Sequence, residues 1–304
     1  LYFPLTDAAG SLLSSISPNL SGDIKRDNER FLTVPASVED LRSSPLCRRE
    51  FFLRAAGATV RLSEPCARER LEAGLLYQKL TKRWRGLEIE ILNFVPHAIG
   101  AEVMRVRVRN VSSAAIPLSA VSFVPLYGRS EKNLRDHRHV SSLLNRVFLS
   151  RYGITLCPSM VFDEKGHRAN RTRYFARGYE GRGAAFAGQY PTLDSFFGSG
   201  DILSPDAVEK DLPAFNKKLP RFDGKEACAA FRFGCRPLLP GKSREFTLIL
   251  GIGESDAQVE ALWRRLDRPA KVEAALAETK RYWREYLSGG RFDFGEQRRE
   301  IFAT

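Results

Sequence analysis

Apolar and polar residues alternate along several stretches of this chain, and turn-forming residues separate these stretches from one another. The alternation is clearest in Leu87–Phe94, where isoleucines alternate with glutamates, and in Met104–Arg109, where apolar residues alternate with arginines. A period of two residues is typical of a β-strand that buries one face. Eight or more strand candidates precede residue 254, with few long helical patterns between them. The pattern predicts a mainly β fold, built as a large antiparallel β-sandwich.

Neighbouring strand candidates are joined by short turns at three places. Antiparallel neighbours are commonly connected in this way, so each pair is interpreted as a hairpin. The three predicted hairpins are 104–127, 174–189 and 227–251.

Apolar residues recur at helical spacing beyond residue 254. Ser255 stands in front of the first helical segment, where its hydroxyl can accept a backbone hydrogen bond as an N-cap. Asp267 is predicted to cap a second helix, which has Pro269 in its first turn. The chain is therefore predicted to consist of a β-sandwich domain, residues 1–253, and a C-terminal helical linker, residues 254–290.

Cysteine usage and hydropathy indicate which cellular compartment suits the chain. Five cysteines are scattered along the sequence without a C-x-x-C pair, which argues against a zinc ribbon or a thioredoxin-like site. We expect reduced and mostly buried thiols in a cytoplasmic protein. No apolar run of about 18 residues occurs, so the sequence predicts no transmembrane helix and no membrane partner.

The formal net charge of +12 raises the alternative of a nucleic-acid-binding β protein. The arginines are spread along the chain, and no known nucleic-acid-binding motif accompanies them, so we expect no nucleic-acid partner. Basic and aromatic residues interleave over Arg168–Arg182, a composition that can stack sugars or bases. The preferred interpretation is a strand with its aromatic residues inside and its arginines outside.

Several segments resemble the glycoside phosphorylases of glycoside hydrolase family 94, formerly glycosyltransferase family 36. The similarity is carried by the opening YFPL, by residues 10–25 (GSLLSSISPNLSGDIK), by the segment 31–41, by Val124–Ser130 and by Asn133–Val140. It is closest to family members that act on β-1,2-linked glucans. The resemblance implies a galactose-mutarotase-like supersandwich, a helical linker and then an (α/α)6 catalytic barrel. Residues 291–304 would be the start of that barrel, which this chain does not include.

The resemblance also implies a reaction. Family members carry out reversible, inverting phosphorolysis of β-linked gluco-oligosaccharides to a sugar 1-phosphate, with inorganic phosphate as co-substrate and no further cofactor. Their general acid is an aspartate of the barrel, so no catalytic residue is assigned to this chain, which we expect to be inactive alone. Family members also form homodimers in which the sandwich of one subunit borders the active site of the other.

The densest polar cluster of the sequence is a candidate for substrate contact at that border. Guanidinium groups offer forked donors to phosphate or to neighbouring hydroxyls, and an imidazole can donate to a sugar oxygen. The alternative is a solvated turn whose arginines pair with nearby acids. The pair of histidines could also form half of a metal site, but the further ligands are missing and no metal is expected. The cluster comprises Arg135, Asp136, His137, Arg138 and His139.

A stand-alone carbohydrate-binding module is the alternative function. Such a module would hold gluco-oligosaccharides on an exposed surface without any catalytic domain. Calorimetry with gluco-oligosaccharides separates the two functions, because only the module must bind sugar by itself.

Overall fold

Strands make up most of the protein, and helices flank them. The computed structural model describes residues 2–161, 166–215 and 221–290. The strands of the described chain are β1 Phe3–Thr6, β2 Leu13–Ile16, β3 Ile24–Asp27, β4 Arg30–Phe31, β5 Glu50–Ala55, β6 Ala58–Arg61, β7 Glu69–Gly74, β8 Tyr77–Trp84, β9 Leu87–Phe94, β10 Ala101–Asn110, β11 Ile116–Leu126, β12 Arg146–Ser150, β13 Gly153–Leu156, β14 Met160–Val161, β15 Arg168–Ala169, β16 Arg173–Glu180, β17 Gly188–Thr192, β18 Phe222–Asp223, β19 Ala227–Leu238 and β20 Ser243–Gly253. The helices are α1 Asp40–Ser43, α2 Arg138–Ser142, α3 Leu193–Phe197, α4 Asp206–Glu209, α5 Asp256–Arg264 and α6 Pro269–Ser288, with 3-10 helices at Pro45–Cys47 and Glu131–Arg135.

Two large antiparallel sheets lie face to face. One has nine strands in the order β18-β12-β13-β16-β20-β10-β9-β8-β7, and the other has five in the order β17-β19-β11-β5-β6. Strands β1 to β4 form a separate sheet, and β14 pairs with β15. The predicted mainly β antiparallel sandwich, followed by C-terminal helices, is confirmed.

The three hairpins predicted from the sequence are wrong, because in each case the second strand joins the other sheet. β10 pairs with β9 and β20, whereas β11 pairs with β5 and β19. β16 and β20 likewise belong to the nine-stranded sheet, and β17 and β19 belong to the five-stranded sheet. Short connections therefore carry the chain across the sandwich. Alternation shows which face of a strand is buried but not which other strand it pairs with. A connection that crosses to the other sheet therefore has the same local pattern as a hairpin.

At two of the hairpins that do form, two consecutive residues adopt left-handed backbone angles. Ala56 and Gly57, with φ of 49° and 73°, connect β5 to β6, and Arg85 and Gly86, with φ of 45° and 76°, connect β8 to β9. Two positive φ values in a two-residue loop match the right-handed twist of the strands it joins. Glycine in the second position avoids the steric cost that a side chain would have there.

Three apolar clusters hold the layers together. The largest lies between the two sheets and includes Phe51, Val106 and Phe231. The second lies between the outer face of the nine-stranded sheet and helices α5 and α6, where Trp263 is buried. The third joins the outer face of the five-stranded sheet to α3 and α4, where the ring of Phe196 stacks on a strand residue. The layers therefore follow the order α5/α6, nine-stranded sheet, five-stranded sheet, α3/α4.

The C-terminal helices begin much as their sequence predicts. The Ser255 hydroxyl accepts a hydrogen bond from the backbone N–H of Gln258 at 3.2 Å, which confirms the first cap. The second cap is wrong by one residue, because Arg268 is the N-cap of α6. The Asp267 carboxylate instead pairs with Lys271 at 2.9 Å. Residues 291–304, predicted to begin a further domain, lie outside the described residues.

The predicted alternation over Arg168–Arg182 is wrong within β16, where an arginine lies on the same buried face as aromatic residues. Phe175, Arg177 and Tyr179 are buried at alternate positions, on the face that α5 covers. Arg177 Nη2 donates to Thr155 Oγ1 at 2.9 Å. Burial lowers the pKa of Arg177 to about 10, although backbone and hydroxyl acceptors satisfy its guanidinium. The interleaved segment is therefore a structural element of the sandwich.

A fully buried ion pair fastens the N-terminal sheet to the sandwich. Arg49 Nε lies 2.6 Å from Glu102 Oε1, and both side chains are completely inaccessible. Ser14 of β2 donates to the same carboxylate at 2.5 Å, and Arg49 donates to the Gly22 carbonyl at 3.0 Å. Buried charges are tolerated where such hydrogen bonds complete the pairing. Strands β1 to β4 therefore belong to the same packed body as the two large sheets.

Candidate functional site

A cleft lies where the N-terminal sheet, the 3-10 helix Glu131–Arg135 and the start of the linker meet. It has a volume of about 850 Å³. One wall holds Glu29 of the β3–β4 turn and Arg30 of β4, together with Glu254, which follows β20. The opposite wall is formed by residues from 132–136 and 167–172.

Backbone hydrogen bonds place the two walls opposite each other. Phe31 of β4 donates to the Arg129 carbonyl at 2.9 Å, and Glu131 donates to the Asn28 carbonyl at 3.0 Å. Gly128 lies between them with φ of 70°, and a Cβ there would come within 2.6 Å of a Leu156 methyl group. A glycine is therefore required where the chain leaves β11 and turns into the 3-10 helix. These contacts hold residues 131–136 against the N-terminal sheet.

Ion pairs fix the wall at the linker side. Glu254 accepts from Arg30 at 2.8 Å and from Arg26 at 2.5 Å, so one carboxylate joins the N-terminal sheet to the beginning of the linker. Arg30 also pairs with Asp27. Burial raises the pKa of Asp27, but the hydrogen bond and charge of Arg30 outweigh that effect and leave the pKa below its usual value. Asp27 is therefore ionised at neutral pH, and together with Glu254 it holds Arg30 in place.

Two of the five predicted site residues line the cleft. Arg135 and Asp136 lie at the end of the 3-10 helix, and Asp136 accepts a hydrogen bond from Asn133 Nδ2 at 2.8 Å. Arg138 does not line the cleft, and it pairs with Glu226 at 3.1 Å instead.

The two histidines of the cluster also lie away from the cleft lining. The ring centroids of His137 and His139 are 5.5 Å apart, at the start of α2. Within residues 2–161, 166–215 and 221–290, no three His, Cys, Asp or Glu side chains are grouped in a way that could hold a metal ion.

Arg129, which is half-buried, connects the chain in front of the 3-10 helix to α2. The Arg129 guanidinium lies 5.4 Å from the Tyr127 ring, and Arg129 Nη1 donates to the Ser141 hydroxyl of α2. Burial lowers the pKa of Arg129, and it raises the pKa of Tyr127 to about 12. Neither group changes its protonation state near neutral pH, so both are suited to a positioning role.

Sequence reasoning missed the wall that faces the predicted segment. Arg30 and Glu254 are 224 residues apart in the chain, and no local pattern connects them. The basic run that contains Arg168 and Arg171 also lines the cleft, although its sequence is interpreted above as part of a strand. The lining holds more basic than acidic side chains, a composition suited to phosphate or to a hydroxyl-rich ligand.

The fold and the comparisons together identify the kind of protein. Two stacked antiparallel sheets with helices on their outer faces define a β-supersandwich domain. A family model described as "Glycosyl hydrolase 94, supersandwich domain" matches residues 60–269. The chain belongs to this family, as its sequence resemblance predicted.

Individual proteins are similar to this chain in sequence or in fold. Cyclic beta-(1,2)-glucan synthase NdvB of Rhizobium meliloti (strain 1021) is 29% identical over 220 residues, which are 70% of this chain but 7% of the synthase. A bacterial glucoamylase complexed with acarbose has the same fold at 10% identity and a TM-score of 0.57, over 94% of this chain and 36% of the glucoamylase. A putative aldose 1-epimerase of Escherichia coli K12 aligns at a TM-score of 0.44 and 10% identity, over 83% of this chain and 99% of the epimerase.

This chain therefore spans only a small part of the glucan synthase and about a third of the glucoamylase. None of the described helices combines the length and apolar character needed to cross a bilayer.

Proposed function

We propose that this chain is the supersandwich and linker of a longer, cytoplasmic enzyme that phosphorolyses β-linked gluco-oligosaccharides. The observation that carries the proposal is the family match over residues 60–269, combined with the order of sandwich and then helices. The relative with 29% identity is named as a β-(1,2)-glucan synthase, which supports β-1,2-linked glucans as the substrate class. A homodimer is part of the same proposal.

In the proposed reaction, this chain and the remainder of the enzyme have different roles. Phosphate attacks the anomeric carbon and inverts it, while a carboxylic acid protonates the departing glycosidic oxygen. The products are a sugar 1-phosphate and a shortened oligosaccharide. That acid is assigned to no residue of this chain. The contribution of the sandwich is to shape the substrate entrance, with Arg135 and Asp136 contacting the sugar or phosphate from the cleft.

Phosphorolysis assays test the proposal directly. The longer polypeptide is expected to release glucose 1-phosphate from β-1,2-gluco-oligosaccharides, and the 304-residue chain alone is expected to release none. Glucose 1-phosphate formed by the chain alone, or none formed by the longer polypeptide, would overturn the proposed division of work.

Variants of the longer polypeptide test the contact with substrate. Arg135→Ala should raise KM for phosphate or oligosaccharide about tenfold, which is the loss of roughly one charge-assisted hydrogen bond. The matched control is Arg182→Ala, an exposed arginine of the β16–β17 turn that does not line the cleft. Substrate contact also stays a prediction for His137, Arg138 and His139. Alanine variants of these residues in the same assay test it. Equal KM values for Arg135→Ala and the control would show that Arg135 does not contact the substrate from the cleft.

A further inference from the structure

A second groove lies on the outer face of the five-stranded sheet and shares no lining residue with the cleft described above. It has a volume of about 590 Å³, within the range of small-molecule sites. It crosses β5, β11 and β19 beside α4, where the helices leave the sheet uncovered. Its entrance carries small residues, Ala56 and Gly57 of the β5–β6 turn, so no bulky side chain closes it.

The floor of the groove is apolar and its rim carries three charged groups. Phe52, Val121 and Val208 form the floor and are almost completely buried. Asp211 stands at the rim between two arginines, with Oδ2 3.3 Å from Arg54 Nη1 and Oδ1 3.8 Å from Arg232 Nη2.

The rim groups are held in place by the fold. Arg232 Nη2 donates to the carbonyls of Ala207 and Leu212 at 2.8 and 2.9 Å, and its guanidinium lies 5.4 Å from the Tyr190 ring. Asp211 has a φ of 52°, a left-handed conformation that aspartate tolerates better than most residues. Arg232 Nε is buried without a hydrogen-bond partner in the described chain. Because that nitrogen is inaccessible, the polar groups that the groove offers to a ligand are the Asp211 carboxylate and the outer guanidinium nitrogens of Arg54 and Arg232.

We propose that this groove is a second saccharide-binding site, which holds a neutral gluco-oligosaccharide away from the site of phosphorolysis. Vicinal hydroxyls donate to a carboxylate and accept from a guanidinium, and the C–H face of a sugar ring packs on an apolar floor. The Asp211 carboxylate lies between the two arginines and offsets part of their charge, so the rim offers both acceptors and donors, which suit the hydroxyls of an uncharged sugar. The proposal goes beyond the proposed function, because the groove binds sugar whether or not the longer enzyme is a phosphorylase.

Calorimetry of the 304-residue chain tests the groove, with β-1,2-linked glucotetraose and cellotetraose as separate probes and inorganic phosphate as a third. At least one tetrasaccharide should bind. Asp211→Asn, which keeps the left-handed backbone accessible, should weaken that binding about tenfold. Ser119→Trp, which fills the groove from β11, should abolish it without lowering the unfolding midpoint.

The matched control is Asp194→Asn, an exposed aspartate of α3 that pairs with Lys225 at 3.1 Å and does not line the groove. It should bind like the wild type. Failure of both tetrasaccharides to bind at millimolar concentration, or equal affinity in all variants, would overturn the proposal. Binding of phosphate that is sensitive to Asp211→Asn, with no sugar binding, would also overturn it. Phosphorolysis by the longer polypeptide is measured separately, so the two proposals fail independently.

Discussion

The neighbouring residues Arg49 and Glu50 are both buried, but their ionisable groups have different partners. Arg49 reaches the Glu102 carboxylate, and the two charges compensate each other at 2.6 Å. Glu50 forms no ion pair with any described residue and accepts hydrogen bonds from the backbone N–H of Phe51 at 2.9 Å and from Ser63. Burial raises the pKa of the Glu50 carboxyl, and these hydrogen bonds offset only part of that effect.

The raised pKa of Glu50 predicts a dependence of stability on pH. The folded protein holds this proton more tightly than the unfolded chain, so the stabilisation is complete below about pH 4.5, the ordinary pKa. It is lost as the pH rises through the higher pKa of the folded state. Glu50→Gln cannot ionise, so its free energy of unfolding should decline less than that of the wild type between about pH 4.5 and pH 8. Urea titrations across that range measure the difference.

Glu88→Gln is the control for this experiment, because Glu88 is partly exposed and pairs with Arg83 on the protein surface. Its pH profile should run parallel to that of the wild type. A tenfold difference in proton affinity between the folded and unfolded states corresponds to about 1.4 kcal/mol. If the profile of Glu50→Gln were also parallel to the wild type, Glu50 would not be protonated preferentially in the folded state.

Helices α5 and α6 are elements whose packing could be predicted from their sequence. Ser255 and the apolar spacing behind it indicate both the start of α5 and the face that it buries. The same reasoning places the beginning of α6 one residue too early, because Asp267 pairs with Lys271 and does not cap the backbone. Local patterns are reliable here because each helix contains its own periodicity. The sheet on which the helices pack was not indicated by either pattern.

Truncation of Trp263 tests whether α5 is part of the folding unit. This side chain is 6% exposed, and its ring centroid lies 5.3 Å from that of Tyr152 and 6.0 Å from that of Tyr179. Trp263→Ala should lower the free energy of unfolding by about 3–5 kcal/mol, the usual cost of deleting a buried aromatic residue. Tyr286→Ala on α6, at a side chain 67% exposed, should change it by less than about 0.5 kcal/mol. Urea unfolding followed by circular dichroism measures both, and similar values would show that the helices are not packed cooperatively on the sheet.

At the scale of the whole molecule, the sequence predicts the sandwich but not its connections. The predicted alternation holds over Leu87–Ile91 of β9 and Val106–Arg109 of β10, but Arg105 of β10 is buried. The crossings between sheets, and the cleft that joins Arg30 to Glu254, depend on contacts between residues far apart in the chain. Nothing in a local window specifies such contacts. For the same reason, sequence reasoning found Arg135 and Asp136 but missed the wall opposite them.

One side chain connects the two sheets at the end where the chain crosses between them. Arg244 of β20, in the nine-stranded sheet, donates to the carbonyls of Leu118 and Gly234 in the five-stranded sheet at 2.5 and 2.8 Å. Its Nε also lies 2.9 Å from the Glu180 carboxylate. The guanidinium is almost completely buried. If it were removed, water could not take its place as the hydrogen-bond donor to these partners.

Replacement of Arg244 should therefore destabilise both sheets together. Arg244→Met leaves the partly buried Glu180 carboxylate and two carbonyls unpaired, at a cost of about 3 kcal/mol in the free energy of unfolding. Arg107→Met, on the partly exposed outer face of the same sheet, should cost less than about 1 kcal/mol. Tryptophan fluorescence and circular dichroism should report the same midpoint in each variant, because the sheets share one core. Separate midpoints for the two signals in Arg244→Met would show instead that this arginine joins two units able to unfold independently.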